Sequence, residues 1–253
     1  MSLTPTTPED PLASRTEPSR QLPVATVEDR RRRLVALGIV LFVSFGNFIA
    51  ASAYYLLRGA TAAMEMQEHQ MRLVGGLITE AGSLAVLWYV LSGQGRSWRN
   101  IGWNFRVMDV PLALGLAFGA TAATYATYIP AQIVAHAATG HYLTPKSMHG
   151  LLGVGISGLS IAFVCLNPFF EELIARGYLM MEIAELGGSG VLAIVISVAV
   201  QMSYHLYQGF TNGILLATIF AVFSIYFWKT RRLAPVVLAH LCVDAYALFR
   251  GNA

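Results

Sequence analysis

Residues 167–177 read NPFFEELIARG, with two adjacent carboxylates and a guanidinium directly after a long apolar run. Ionisable groups are expensive inside a membrane-type segment, so those that are kept are candidates for chemistry. Seven stand in apolar runs: Glu80, Glu171, Glu172, Arg176, His205, His240 and Asp244. Six of the seven fall between Glu171 and Asp244.

Helix periodicity divides their labour. Residues four apart share a face, and successive residues turn by about 100°. Glu172 and Arg176 are four apart with the acid first, the favourable order for an ion pair. Glu171 projects from a different face and stays free to act as a general base. His240 and Asp244 also share a face. Asp244 can therefore orient the imidazole, or both can face one small ligand or metal. His205, read alone, is first a helix–helix hydrogen-bonding residue. Together a Glu, two His and an Asp from three helices make a convergent polar site where a water, with or without a metal, is activated. Glu80 reads as a hydrogen-bonded interior acid, with the same cavity or an interfacial Arg as its other possible neighbours. Asn167-Pro168 has two readings. It can cap a fresh helix one turn before Glu171, or it can kink a continuous one.

Rival chemistries leave weaker traces. The helical zinc motif HExxH and a GxGD aspartyl motif are absent. Gly155-Ile156-Ser157-Gly158 matches the GxSG pattern of rhomboid-like serine proteases, but a serine mechanism leaves Glu171 without a task. His69, His136, His141 and His149 lie in or near loops and read as non-catalytic.

The ordered motifs carry a resemblance. Glu171–Arg176 matches EExxxR, His205 stands at the histidine of FxxxH, and His240–Asp244 matches HxxxN/D. The pattern, over about 153–249, resembles the CPBP family. These are intramembrane endopeptidases that include the type II CAAX prenyl proteases and the bacteriocin-processing and abortive-infection proteins. The resemblance implies peptide-bond hydrolysis with Glu171 as the base that activates water. It implies that His205, His240 and Asp244 bind that water, a metal or the oxyanion, and that Glu172 and Arg176 hold the site together. Family members are described both as metalloproteases and as metal-independent glutamate proteases. The two histidines suit a divalent metal such as zinc, and the sequence leaves both forms open. One departure stands out: Gln201 occupies the place of the motif's Phe. Its amide either hydrogen-bonds within the site or marks different local packing.

The elements that must position these residues are helices in a bilayer. Of 253 residues, 55% are hydrophobic and only 12% charged, with a mean hydropathy of +0.56. A soluble domain is about a quarter charged. The expected fold is all-α, a polytopic membrane bundle of about seven helices: 34–57, 73–91, 110–138, 153–181, 191–207, 213–228 and 233–249. Strand alternation and internal repeats are not evident. Residues 1–29, rich in Pro, Ser and Thr, read as a disordered cytoplasmic tail, and 30–253 as one membrane domain. Cys165 and Cys242 read as packing residues rather than a disulfide.

Basic residues precede the first span (Arg30–Arg33), follow the second (Arg96, Arg99, Arg106) and follow the sixth (Lys229, Arg231, Arg232). In an alternating bundle all three groups share one side, so the N-terminus is expected in the cytoplasm, in the inner membrane of a bacterium. The net charge of +3 sits at membrane flanks and implies no nucleic-acid partner. The expected partners are the bilayer and a membrane-embedded or membrane-associated peptide or protein. Two other classes compete: a non-enzymatic immunity or scaffold protein that binds a peptide, and a small proton-coupled transporter, for which no inverted repeat speaks. In straight helices of the expected lengths, His205, Glu171 and His240 fall at different depths, so tilts or boundaries must differ by about a turn.

Overall fold

The computed structural model describes residues 27–58, 66–144 and 156–250. Among these there are seven helices and no strand. They are α1 Val27–Arg58, α2 Met66–Gly93, α3 Asp109–Thr139, α4 Gly158–Glu185, α5 Gly190–His205, α6 Phe210–Thr230 and α7 Ala234–Arg250. The expected tail falls outside the described residues except at its end. There Val27, Glu28 and Asp29 already belong to α1, whose first turn their acids complement. His149 also lies outside. Cys165 and Cys242 are free.

Six helices are long and apolar enough to cross a membrane, α1 to α6. Their outer faces are apolar: Phe42, Ile78, Tyr89 and Phe118 all project outward and are more than two-thirds exposed. Such a surface suits lipid, where the backbone must satisfy its own hydrogen bonds and helices are the economical answer. Inside, packing rather than water exclusion holds the bundle. Phe45 of α1 stacks on Tyr204 of α5 at 5.0 Å and tilts against Phe170 of α4 at 5.3 Å.

The helices alternate in direction. Arg33 at the start of α1 pairs with Glu182 and Glu185 at the end of α4, and Arg96 after α2 joins the same acids. Asp109 at the start of α3 pairs with Arg232 before α7. Gly190 at the start of α5 lies against Trp228 near the end of α6. All three basic groups therefore gather at one end of the bundle.

The seventh helix keeps the expected bounds to within one residue, but its 17 residues are fewer than the roughly 20 that cross comfortably, and its start is recessed. Leu233, Ala234, Val236 and Val237 are fully buried. Leu233 donates its N–H to Gly102 O at 3.0 Å, and its side chain touches the Gly177 level of α4. The 3-10 turn Trp98–Ile101 dips to the same level, since Ile101 also packs on Gly177.

The depth mismatch resolves in the same way. α4 runs to Glu185, about one turn past the expected Met181. Glu171 is then some 14 residues from the basic end, and His205, at the far end of α5, some 15 residues from it, or about 20 Å in each case. His240, only six residues into α7, reaches that depth because α7 starts deep.

α4 also decides the Asn167-Pro168 question. The helix starts at Ser157, whose side chain accepts from Ser160 N at 3.1 Å in a capping box. It then runs unbroken through Pro168. No fresh helix begins there. The irregularity comes later, as a π-helical turn over Leu173–Tyr178. Such turns recur inside α-helices at functional sites. The Ala175 carbonyl within it accepts from Ser197 Oγ of α5 at 2.9 Å.

Candidate active site

Glu171 is held from both sides. Its Oε1 accepts from Asn167 Nδ2 at 3.2 Å, one turn back on α4, and its Oε2 accepts from Gln201 Nε2 at 3.1 Å on α5. Gln201, the departure from the FxxxH pattern, is thus a hydrogen-bonding member of the site, the first of the two readings given above. The carboxylate is nearly sealed from the exterior, with a side-chain exposure of 3%.

His205 closes this cluster. Its Nε2 lies 3.8 Å from Glu171 Oε1, and its Nδ1 lies 2.8 Å from Gln208 Nε2. With the Gln208 amide donating to Nδ1, the ring proton sits on Nε2. That nitrogen is buried, has no hydrogen-bond partner, and faces the carboxylate side of the site. His205 is therefore more than the helix–helix residue it resembles in isolation.

Glu172 does more than the sequence suggests. It pairs with Arg176 at 3.1 Å, as the spacing predicts, although a π turn lies between them. The same Oε1 also meets His240 Nδ1 at 2.7 Å, and the other ring nitrogen lies 3.5 Å from Asp244 Oδ2. His240 is clamped between carboxylates from two helices. Arg176 is fully buried, donates to Phe220 O at 3.2 Å, and lies 5.1 Å above the Phe220 ring. A buried guanidinium without a partner is costly, and Glu172 is the carboxylate that meets it.

The four expected residues thus form two adjoining clusters rather than one. Glu171 and His205 make one, and Glu172, His240 and Asp244 the other. The Phe220 ring stands between the histidines, 5.5 Å from His205 and 6.2 Å from His240. Among the described residues no three His, Cys, Asp or Glu side chains stand as a group that could hold an ion.

Two members escaped the motif reading. Asn167 looked like a cap, yet its Nδ2 bonds Glu171 and, at 3.0 Å, Oε1 of Glu80 on α2. Glu80 is fully buried and is the hydrogen-bonded interior acid expected, but its bond leads into the site. The serine alternative is answered by geometry. Ser157 caps α4 fourteen residues before Glu171, about 20 Å along the axis. His136 stacks on Tyr142 at 4.2 Å, and His141 is exposed, both away from the cluster.

Fold and site together define a polytopic helical membrane protein with a carboxylate–imidazole centre sealed in its bundle. Residues 154–246 match a family model described as Type II CAAX prenyl endopeptidase Rce1-like. The match spans somewhat over a third of the chain, holds Glu171, His205, His240 and Asp244, and supports the CPBP/CAAX protease family for this region. No curated protein and no solved structure matches the chain.

Proposed function

We propose that the chain hydrolyses a peptide bond in a membrane-associated peptide or protein, with Glu171 as the base that activates the attacking water. The carrying observation is the pairing of a sealed, amide-held carboxylate with an unpartnered imidazole nitrogen 3.8 Å away. Glu171 takes one proton from water as the water oxygen bonds to the carbonyl carbon. The oxyanion that forms accepts a hydrogen bond from His205 Nε2–H. Collapse breaks the C–N bond, and Glu171 returns the proton to the departing amine. His240, fixed by Glu172 and Asp244, lines the other side of the centre.

We place the basic end in the cytoplasm of a bacterial cell, from the gathering of the arginine groups there. The test uses the full chain and its Glu171→Gln and Glu172→Gln forms. Each is co-expressed with membrane proteins, whose peptide termini are then compared by mass spectrometry. New termini made by the wild type and lost in Glu171→Gln support the reading. Identical termini in all three, with the proteins folded, overturn it in favour of a peptide-binding role. Dialysis of the active protein against a strong chelator is expected to leave its rate within about twofold. A loss restored by zinc would instead put a metal in the mechanism.

A further inference from the structure

We propose that Glu80 is a positioning residue of this centre, acting on Glu171 through Asn167. The inference rests on the peptidase reading and deepens it. Glu80 lies on α2, outside the residues 154–246 that match the family model.

Three observations carry it. The first is the shared amide. Asn167 Nδ2 lies 3.0 Å from Glu80 Oε1 and 3.2 Å from Glu171 Oε1. An amide nitrogen carries two hydrogens, one for each carboxylate, and the amide oxygen cannot face either acid. Glu80 thereby fixes which way the Asn167 side chain points. Without it, the amide is free to rotate its oxygen towards Glu171 and repel it.

The second is burial. Glu80 is fully enclosed, and its Oε2 has no hydrogen-bond partner. A carboxyl group is costly to hold in that state, and a leucine would pack there without the cost. The nearest alternative partner suggested by the sequence, an interfacial Arg, is not what it meets.

The third is the helix contact beneath it. Gly76 and Glu80 are one turn apart on α2, and Phe163 and Asn167 are one turn apart on α4. A Cβ at Gly76 would come within 2.8 Å of the Phe163 ring, so the absence of a side chain there accompanies a close approach of the two helices at this level. The two pairs run in the same order, so α2 and α4 are parallel here. The close approach sets the distance at which Glu80 reaches Asn167.

The consequence is specific. Glu80 acts as an acceptor, so a glutamine, whose carbonyl oxygen can take the same hydrogen bond, should largely replace it. Purified full-length Glu80→Gln, Glu80→Leu, Asn167→Leu, the double Glu80→Leu/Asn167→Leu and Glu171→Gln are assayed on a peptide substrate that the wild type cleaves. Folding is checked by thermal unfolding in nanodiscs. Glu80→Leu is expected to lose about tenfold or more in kcat with KM within about twofold, a loss of transition-state rather than ground-state interaction. Glu80→Gln is expected within about threefold of wild type. The double variant is expected to be no slower than Asn167→Leu alone, since the two residues act in series.

A folded Glu80→Leu with wild-type kcat overturns the proposal. So does a Glu80→Gln as slow as Glu80→Leu, which would mean that the group works by its charge or proton. Should Glu80→Leu fail to fold, Glu80→Met and the double Glu80→Met/Asn167→Leu take its place: a wild-type kcat in the first, or a double variant slower than Asn167→Leu by the full Glu80→Met loss, overturns it. If the wild type cleaves nothing, or Glu171→Gln cleaves as well as the wild type, the peptidase reading itself falls and takes this inference with it.

Discussion

The two adjacent glutamates differ in their partners, and the division of labour proposed for them rests on that difference. Glu172 bonds a buried guanidinium and an imidazole, whereas Glu171 bonds two neutral amides. Removing Glu172 leaves Arg176 buried without its carboxylate, a loss of about 3–5 kcal/mol. Glu172→Ala is therefore expected to unfold well below the wild type in a thermal scan. Glu171→Gln keeps size and one acceptor oxygen, and turning over the Gln201 amide, whose Oε1 is otherwise unpartnered, lets it accept from the new NH2; it should melt within a few degrees of wild type yet lose about a hundredfold or more in kcat. Gln201→Leu removes one amide from Glu171 while leaving the base in place. A fall in kcat of about tenfold, with KM little changed, is expected from steady-state kinetics, the worth of one hydrogen bond to a charged group.

At the scale of elements, the bundle reads through its irregular pieces. Gly177 lies in the π turn of α4, where a Cβ would meet Leu233 Cδ2 at 3.0 Å and Ile101 O at 3.1 Å. Gly177→Ala forces apart the recessed start of α7 and the Trp98–Ile101 turn, an overpacking cost of about 1–3 kcal/mol. A lowered unfolding temperature together with a reduced kcat is the expected result, because His240 stands just beyond that contact. Much at this scale was legible from spacing and hydropathy: the order of the helices, the Glu172–Arg176 pair, and the face shared by His240 and Asp244. Other features were not. Asn167-Pro168 carries the local chemistry of a helix start, but Ser157 already caps α4 and lipid penalises a break in the backbone ladder, so the helix runs through. The π turn has no local signature. The recession of α7 depends on Gly102 and Gly177, residues distant in the chain. Glu80 and Asn167 could be read only as isolated polar groups, since their meeting needs the α2–α4 approach at Gly76.

The molecule as a whole has one basic end, and that end is stitched across helices. Arg33 and Arg96 from α1 and the α2 end meet Glu182 and Glu185 of α4, with Arg30 reaching Leu186 O at 2.8 Å. If this end lies in the cytoplasm, cysteine accessibility should be polarised. With Cys165 and Cys242 replaced by alanine, Thr144→Cys should react with an impermeant maleimide added to intact spheroplasts. Ser97→Cys should react only after the membrane is broken. The reverse pattern would turn the bundle over.

The extra residue in the π turn gives α4 two angular phases. Up to Glu172 the helix presents the Glu171 carboxylate to its two amides in one frame, and beyond Tyr178 it presents Glu182 and Glu185 to the arginines in another, rotated frame. Winding the same residues 173–178 as an ordinary α-helix would turn everything after them by about 100° relative to what precedes them. Either the acids would keep their arginines and Glu171 would swing off its amides, or the reverse. The chain cannot hold both registers at once without that one inserted step.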